Sequence, residues 1–181
     1  MNKSSVKTKQ LILCALFTAL TAVCSQIVIP LPMIPINLAL FSVHLAGALL
    51  GGKYAFLSMT AYVVLGALGA PVFSGFMGGF GYLFGKTGGY IIGYTICALV
   101  VGYLANKGTF DFKHLCFYMV TGLLLCYIFG TIWFIIIVKC DLISALMWCV
   151  IPFLPGDAVK IALAAFLAVK LKPVLNKSFN A

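Results

Sequence analysis

Long apolar runs dominate this chain, and they leave few folds open to it. Residues 11–29, 38–50, 54–68, 90–104 and 114–138 contain no Asp, Glu, Lys or Arg. Hydrophobic residues make up 64% of the 181 positions and charged residues 8%. A soluble domain of this size could not hide so much apolar surface, so the chain is read as an integral membrane protein. The runs lack the ten-residue alternation of an outer-membrane barrel. In lipid every backbone N–H and C=O must be satisfied internally, so helices are the spanning elements. The expected fold is all-α, a single domain over residues 1–181 with no soluble domain to spare. No nucleotide-binding domain is recognised, so any coupling to ATP must come from partners.

Six spans are expected: 11–29, 38–50, 54–68, 90–104, 114–138 and 157–171. Pro30, Pro32 and Pro35 break the chain after the first and make an extended loop. The second is short, about 20 Å at 1.5 Å per residue against a core of roughly 30 Å. It therefore starts inside the Pro-rich segment, or that loop dips into the membrane. Gly51-Gly52-Lys53 is a tight turn, 106–113 a polar loop, and 69–89 a Gly-rich stretch. Segment 143–151 is apolar but too short to cross, and is expected to lie at the interface or fold back. A basic tail follows 171.

The net charge is +9, carried by twelve Lys and no Arg. In a soluble protein this would suggest nucleic acid; here topology explains it, and no nucleic-acid partner is expected. With the N-terminus inside and six spans, the inner segments hold nine lysines: 3, 7, 9, 53, 107, 113, 170, 172 and 177. The outer loops hold two, Lys86 and Lys139, and Lys160 lies in the bundle. This positive-inside bias puts both termini in the cytoplasm. It also puts the Pro-rich loop, the Gly-rich loop and the start of the last span on one outer face. Lys3, Lys7 and Lys9 ahead of the first run mimic a signal peptide, but its length and the spans behind it argue for a retained helix. The seven cysteines (14, 24, 97, 116, 126, 140 and 149) form no C-x-x-C pair and are read as packing residues, not metal ligands or disulfides.

The sharpest chemical signal is Pro155-Gly156-Asp157-Ala158-Val159-Lys160. Asp157 and Lys160, three residues apart, share one face of a helix. Only Asp111 and Asp141 are acidic elsewhere. Ionisable groups at membrane depth are expensive and usually functional. Pro-Gly-Asp is also a plain helix start, with Asp satisfying free N–H groups and the helix dipole. That role does not account for Lys160, whose charge in a first turn opposes the dipole. The pair is read as ligand-binding, with a purely structural ion pair as the alternative.

The Gly-rich stretch contains Gly85-Lys86-Thr87, which looks like the end of a P-loop. The required Gly five residues earlier is Phe80, and no strand precedes it, so an ATP site is rejected. Gly81, Gly85, Gly89 and Gly93 have helix-packing spacing. They serve packing and turns, or form a lid whose backbone meets a ligand. Ala15 and Ala19 make a second small-residue pair in the first span. His44 is read as a helix-interior hydrogen bonder and His114 as interfacial. Trp133 and Trp148 fit an outer aromatic belt.

Three motifs together carry a resemblance: Gly69-Ala70-Pro71-Val72-Phe73-Ser74-Gly75, Gly85-Lys86-Thr87-Gly88-Gly89-Tyr90, and Pro155 to Lys160. In this order they resemble the BioY family, the biotin-specific substrate-binding (S) component of energy-coupling-factor (ECF) vitamin transporters. The chain departs from the family at Lys86, where Pro is usual, and at Asn37-Leu38-Ala39, where many members carry Thr-Leu-Gln. The resemblance implies a six-helix bundle in the plasma membrane with an outward-facing biotin pocket. It implies partners too: one transmembrane coupling protein and two ATPases, with Ala15 and Ala19 on the face that meets the former.

On this reading Asp157 accepts a ureido N–H, and Lys160 donates to the ureido carbonyl or to the tail carboxylate. Phe73, Gly75, Met77 and Gly79, with the stretch up to Tyr90, enclose the apolar part, Tyr90 is an edge donor, and the 30–37 loop closes over the pocket. Biotin is a ligand here, not a cofactor. No catalytic residue, cofactor or metal is expected, and the chain is not an enzyme. An S component for another vitamin, such as thiamin or riboflavin, is the alternative. An intramembrane enzyme or a pore protein stands further off, since no nucleophile with a base and no metal cluster is visible.

Overall fold

The computed structural model describes the backbone of residues 3–180 and the side chains of 8–175. Helix α1 (Lys3–Gln26) ends three residues before the expected end of the first span. The reason is a short hairpin: β1 (Val28–Ile29) pairs antiparallel with β2 (Ile36–Asn37), Val28 opposite Asn37 and Ile29 opposite Ile36. The three prolines sit in the hairpin's loop, where their missing N–H groups cost no ladder bond. The expected extended loop is therefore a strand pair. The Asn37 side chain accepts the Ala39 N–H at 3.0 Å and starts α2 (Ala39–Leu50).

Ten of the twelve residues of α2 are buried, including Ser42 and His44. A short helix that is apolar all round belongs at the centre of a bundle, and α2 packs against α1, α3 (Gly52–Ala67), α5 (Gly88–Lys107) and α8 (Leu154–Asn180). Gly51, at φ +77°, turns the chain directly into α3 (Gly52–Ala67). The Gly-rich stretch contains one helical turn, α4 (Phe80–Leu83), and a tight loop in which Phe73 bridges Met77.

The most extensive helix pair is α5 (Gly88–Lys107) on α6 (Phe112–Val138). Its seam is built from glycines. A Cβ on Gly130 would lie 2.3 Å from the Tyr90 ring, and one on Gly89 2.2 Å from the Trp133 Cβ. Of the Gly81, Gly85, Gly89, Gly93 series, only the last two lie in this seam; nothing lies within 4 Å of a Cβ on Gly81, and Gly85 sits in a turn.

Asp111 caps α6, its side chain accepting the His114 N–H. Asp141 likewise caps α7 (Leu142–Cys149), accepting both the Ser144 hydroxyl and N–H, bonds that hold its carboxyl below the usual range. α7 turns back against α6 with Ala145 and Cys149 buried, and a single 3-10 turn (Ile151–Phe153) leads into α8 (Leu154–Asn180). The tail expected after 171 is helical, running through Pro173. Lys172 holds it to the bundle, donating to the Leu49 carbonyl at 3.5 Å and covering the Phe110 ring at 5.0 Å.

Among the described residues, four segments are long and apolar enough to cross a membrane: Thr8–Gln26, Gly88–Lys107, Phe112–Val138 and Leu142–Leu175. α2, with 12 residues, and α3, with 16, are shorter.

Candidate ligand-binding site

α8 starts at Leu154, so Asp157 stands one turn in. Both of its carboxylate oxygens are taken by side chains: Lys160 Nζ donates to Oδ1 at 2.8 Å, and the Tyr127 hydroxyl of α6 donates to Oδ2. Asp157 is 1% exposed and Lys160 7%. The carboxylate is therefore bound across two helices and does not serve as a helix cap. Removing two charges from water costs several kcal/mol per ion, and only good pairing offsets it. Here three side chains share that pairing. Lys160 keeps two N–H donors free of Asp157, and it lines a cavity.

The cavity occupies about 580 Å³, its open mouth included. Five tyrosines line it: Tyr62 from α3, Tyr82 from α4, Tyr90 and Tyr94 from α5, and Tyr127 from α6. Leu40, Ile91 and Phe153 supply apolar wall, and Asn37, Ser74 and Thr87 supply polar groups near the loops. A mostly apolar wall with a few placed polar groups is the usual build of a small-molecule site. Tyr90 is fixed by its hydroxyl, 3.0 Å from the Thr131 Oγ.

The loops above the cavity are tied to one another. Gln26, the last residue of α1, donates to the Phe73 carbonyl at 3.1 Å and accepts the Phe76 N–H at 2.8 Å. Ser25 donates to the Val72 carbonyl at 2.5 Å, and Tyr62 to the same oxygen at 3.1 Å. Asn37 of the hairpin donates to the Ser74 hydroxyl at 2.5 Å. Lys86 donates to the Pro32 carbonyl at 3.3 Å, and Trp133 to the Gly85 carbonyl at 3.0 Å. Trp133 thus anchors the Gly-rich stretch from α6, in addition to any place in an aromatic belt.

Of the residues singled out in the sequence, Lys160 and Tyr90 line the cavity, and Asp157 stands directly behind Lys160 and Tyr127. Phe73 is fully buried behind the wall, edge-on to Tyr62 and stacked on Tyr82, each at 5.6 Å. Gly75 and Gly79, at φ +72° and +92°, turn the loop and lie outside the lining, as does the half-exposed Met77. Ala15 and Ala19 are exposed on α1 and line a separate apolar groove against α3. His44 is buried, with Nδ1 3.7 Å from the Cys97 Sγ and no partner for Nε2 among the described residues. His114 is exposed and pairs with Asp111 at 2.5 Å. No group of three His, Cys, Asp or Glu able to hold a metal occurs among the described residues.

Tyr62, Tyr82, Tyr94, Tyr127 and Gln26 were not singled out in the sequence, and Asn37 only as a departure from the family and the end of the covering loop. The available signal was tyrosine inside apolar helices, since a buried hydroxyl needs a partner.

Apolar helices around a cavity with a buried ion pair at its wall are the build of a multi-pass membrane protein with a small-molecule site in its bundle. The BioY family model matches residues 1–177. A probable biotin transporter BioY of Pyrococcus horikoshii is 41% identical over 167 residues, covering 92% of this chain and 98% of the relative. The biotin transporter BioY of Thermotoga maritima is 39% identical over 167 residues, covering 91% and 96%. The crystal structure of the S-component for biotin from an ECF-type ABC transporter superposes with a TM-score of 0.88 at 26% identity, covering 96% of this chain and 95% of that one. The chain belongs to the BioY family.

Proposed function

We propose that this chain is the biotin-binding S component of an ECF transporter. It captures biotin from the outer side in the tyrosine-lined cavity and releases it inward under the action of an energising module. The observation that carries this reading is the buried Asp157–Lys160 pair at the wall of that cavity, in a chain of the BioY family. Biotin has a neutral ureido head with two N–H donors and a carbonyl, an apolar thioether ring, and an anionic tail. Lys160 donates to the ureido carbonyl, and Asp157, behind Lys160 and Tyr127, holds that ammonium at the wall. A tail carboxylate placed beside Lys160 would set two anions on one cation, so the neutral head goes deep and the tail points to the mouth. Tyr90 adds a polar edge. Phe73, Gly75, Met77 and Gly79 act through the loop that closes the site.

The energising partners are a transmembrane coupling protein, met by the Ala15 and Ala19 face of α1, and two ATPases that hydrolyse ATP. In the bilayer α1, α2, α3, α5, α6 and α8 make six spans with both termini cytoplasmic. The small size of α2 and α3 suits a bundle that thins where its loops line the site. The chain itself makes and breaks no bonds.

The test is equilibrium binding of a vitamin panel to the purified chain. Saturable binding of biotin, and of no thiamin or riboflavin, is expected. Selective binding of another vitamin overturns the ligand, and saturable binding of none overturns the class.

A further inference from the structure

At the end of the bundle away from the cavity, α3 and α5 cross so closely that a Cβ on Gly102 would lie 2.4 Å from the Gly52 nitrogen. Just outside this crossing runs a groove of about 730 Å³, its open side included. Phe56, Leu99 and Tyr103 form its floor, and Lys53 and Asn106 its rim. Phe56 is 42% exposed and Leu99 40%, so the floor faces outward from the bundle. Lys107 stands at the same rim, donating to the Tyr103 hydroxyl at 2.5 Å with its ammonium 4.4 Å from the ring centre. Lys172, which reaches Leu49 beside the α2–α3 turn, adds charge at this end. The acid nearest it is Asp111, in the loop after α5, and its carboxylate is already paired with His114. Asp157 and Asp141 belong to the other half of the bundle.

This surface is apolar along one stretch and cationic where that stretch ends. An apolar partner helix would leave Lys53 and Lys107 unanswered. A soluble anion would leave Phe56 and Leu99 uncovered. We propose that the groove holds one anionic glycerophospholipid of the surrounding bilayer. An acyl chain lies on Phe56 and Leu99, and the phosphate sits between Lys53, Lys107 and the Tyr103 hydroxyl. Lysines near an anionic headgroup layer each strengthen association about fivefold. Two lysines beside one groove hold one lipid, whereas scattered interfacial lysines only enrich the layer.

The test is native mass spectrometry of the full chain in detergent, titrated with phosphatidylglycerol and with phosphatidylcholine of identical acyl chains. The wild type is expected to retain one phosphatidylglycerol in preference to phosphatidylcholine. A Lys53→Gln/Lys107→Gln variant loses that preference, about fivefold for each lysine. Leu99→Trp fills the floor, leaves the charges in place, and loses the bound lipid as well. Lys139→Gln, at the opposite end, changes nothing. Three outcomes overturn the proposal: no headgroup preference in the wild type, retention unchanged in Leu99→Trp, or an equal loss in Lys139→Gln. The exposed positions chosen leave the core intact, and the thermal midpoint of each variant confirms folding.

Discussion

At the scale of single residues, the proposed site rests on a carboxylate shared by an ammonium and a phenol. Asp157→Asn keeps the shape but strands Lys160 without its counter-ion, and a buried charge stripped of its partner costs about 3–5 kcal/mol. Lys160→Ala leaves Asp157 with the Tyr127 hydroxyl and the start of a helix dipole, so its fold is expected to suffer less. Each change is expected to weaken biotin binding at least tenfold, about 1.4 kcal/mol. The double change is expected to cost less than the sum, because one network is lost. Binding to the purified single and double variants, with folding checked by thermal melting, measures this; strict additivity would show two independent contacts. Tyr127→Phe removes one donor to a charged acceptor, an effect of about 1.5–3 kcal/mol. It is expected to lower biotin affinity less than Asp157→Asn does, and unchanged affinity would confine Tyr127 to the fold. The ion pair was legible in the sequence because charge stands out in an apolar run. Tyr127 was not, since a tyrosine among Leu, Ile and Phe reads as packing until the fold brings it to a residue 30 positions away.

The helices of this chain were legible from their apolar runs, with ends displaced by capping and pairing that hydropathy does not record. Asp111 and Asp141 start α6 and α7 through side-chain bonds to the N–H three residues on. The hairpin at Val28 and Asn37 was hidden because its strands have two residues each, too few to show alternation. The loop over the cavity was legible only as glycine-rich; its support comes from Ser25 and Gln26, both far back in the sequence, and from Tyr62, ten residues before Val72. The element that seats it is Phe73, whose ring lies over Gly66 of α3. A Cβ at Gly66 would come within 2.1 Å of that ring. The ring is held between Tyr62 and Tyr82 and cannot withdraw freely. Gly66→Ala is therefore expected to destabilise by about 1–3 kcal/mol, as overpacking does, and to weaken biotin binding by displacing Tyr62 or Tyr82. Gly81→Ala meets nothing within 4 Å and is expected to leave both properties unchanged. Thermal midpoints and biotin titrations of the two variants, side by side, decide whether seating of Phe73 matters; equal behaviour would remove it from the site's support.

Across the whole molecule, the cavity lies among α3, α4, α5, α6 and α8, while the proposed partner face lies where α1 meets α3, with Tyr62 between the two. There Ala15 and Ala19 border an apolar groove with Leu57, Ala61 and Leu65 of α3. Small residues on an exposed helix let a second backbone approach closely. The two faces are linked through α1 itself, whose last residues, Ser25 and Gln26, hold the loop that covers the cavity. A push on the Ala15 and Ala19 face thus has a direct route to that loop, without passing through the buried ion pair. Replacing Ala15 or Ala19 by Trp fills the groove without entering the core, because both side chains point outward. Biotin binding by the isolated chain is expected to persist within about twofold, since Ala15 and Ala19 are exposed and do not line the cavity. Biotin uptake by cells or vesicles carrying the coupling protein and ATPases is expected to fall at least tenfold, as a side chain wedged between the helices costs more than about 1.4 kcal/mol of association. Paired binding and uptake measurements on the same variants separate the two roles. A parallel loss of both would place Ala15 and Ala19 in the support of the fold, and unchanged uptake would move the partner surface elsewhere on the bundle.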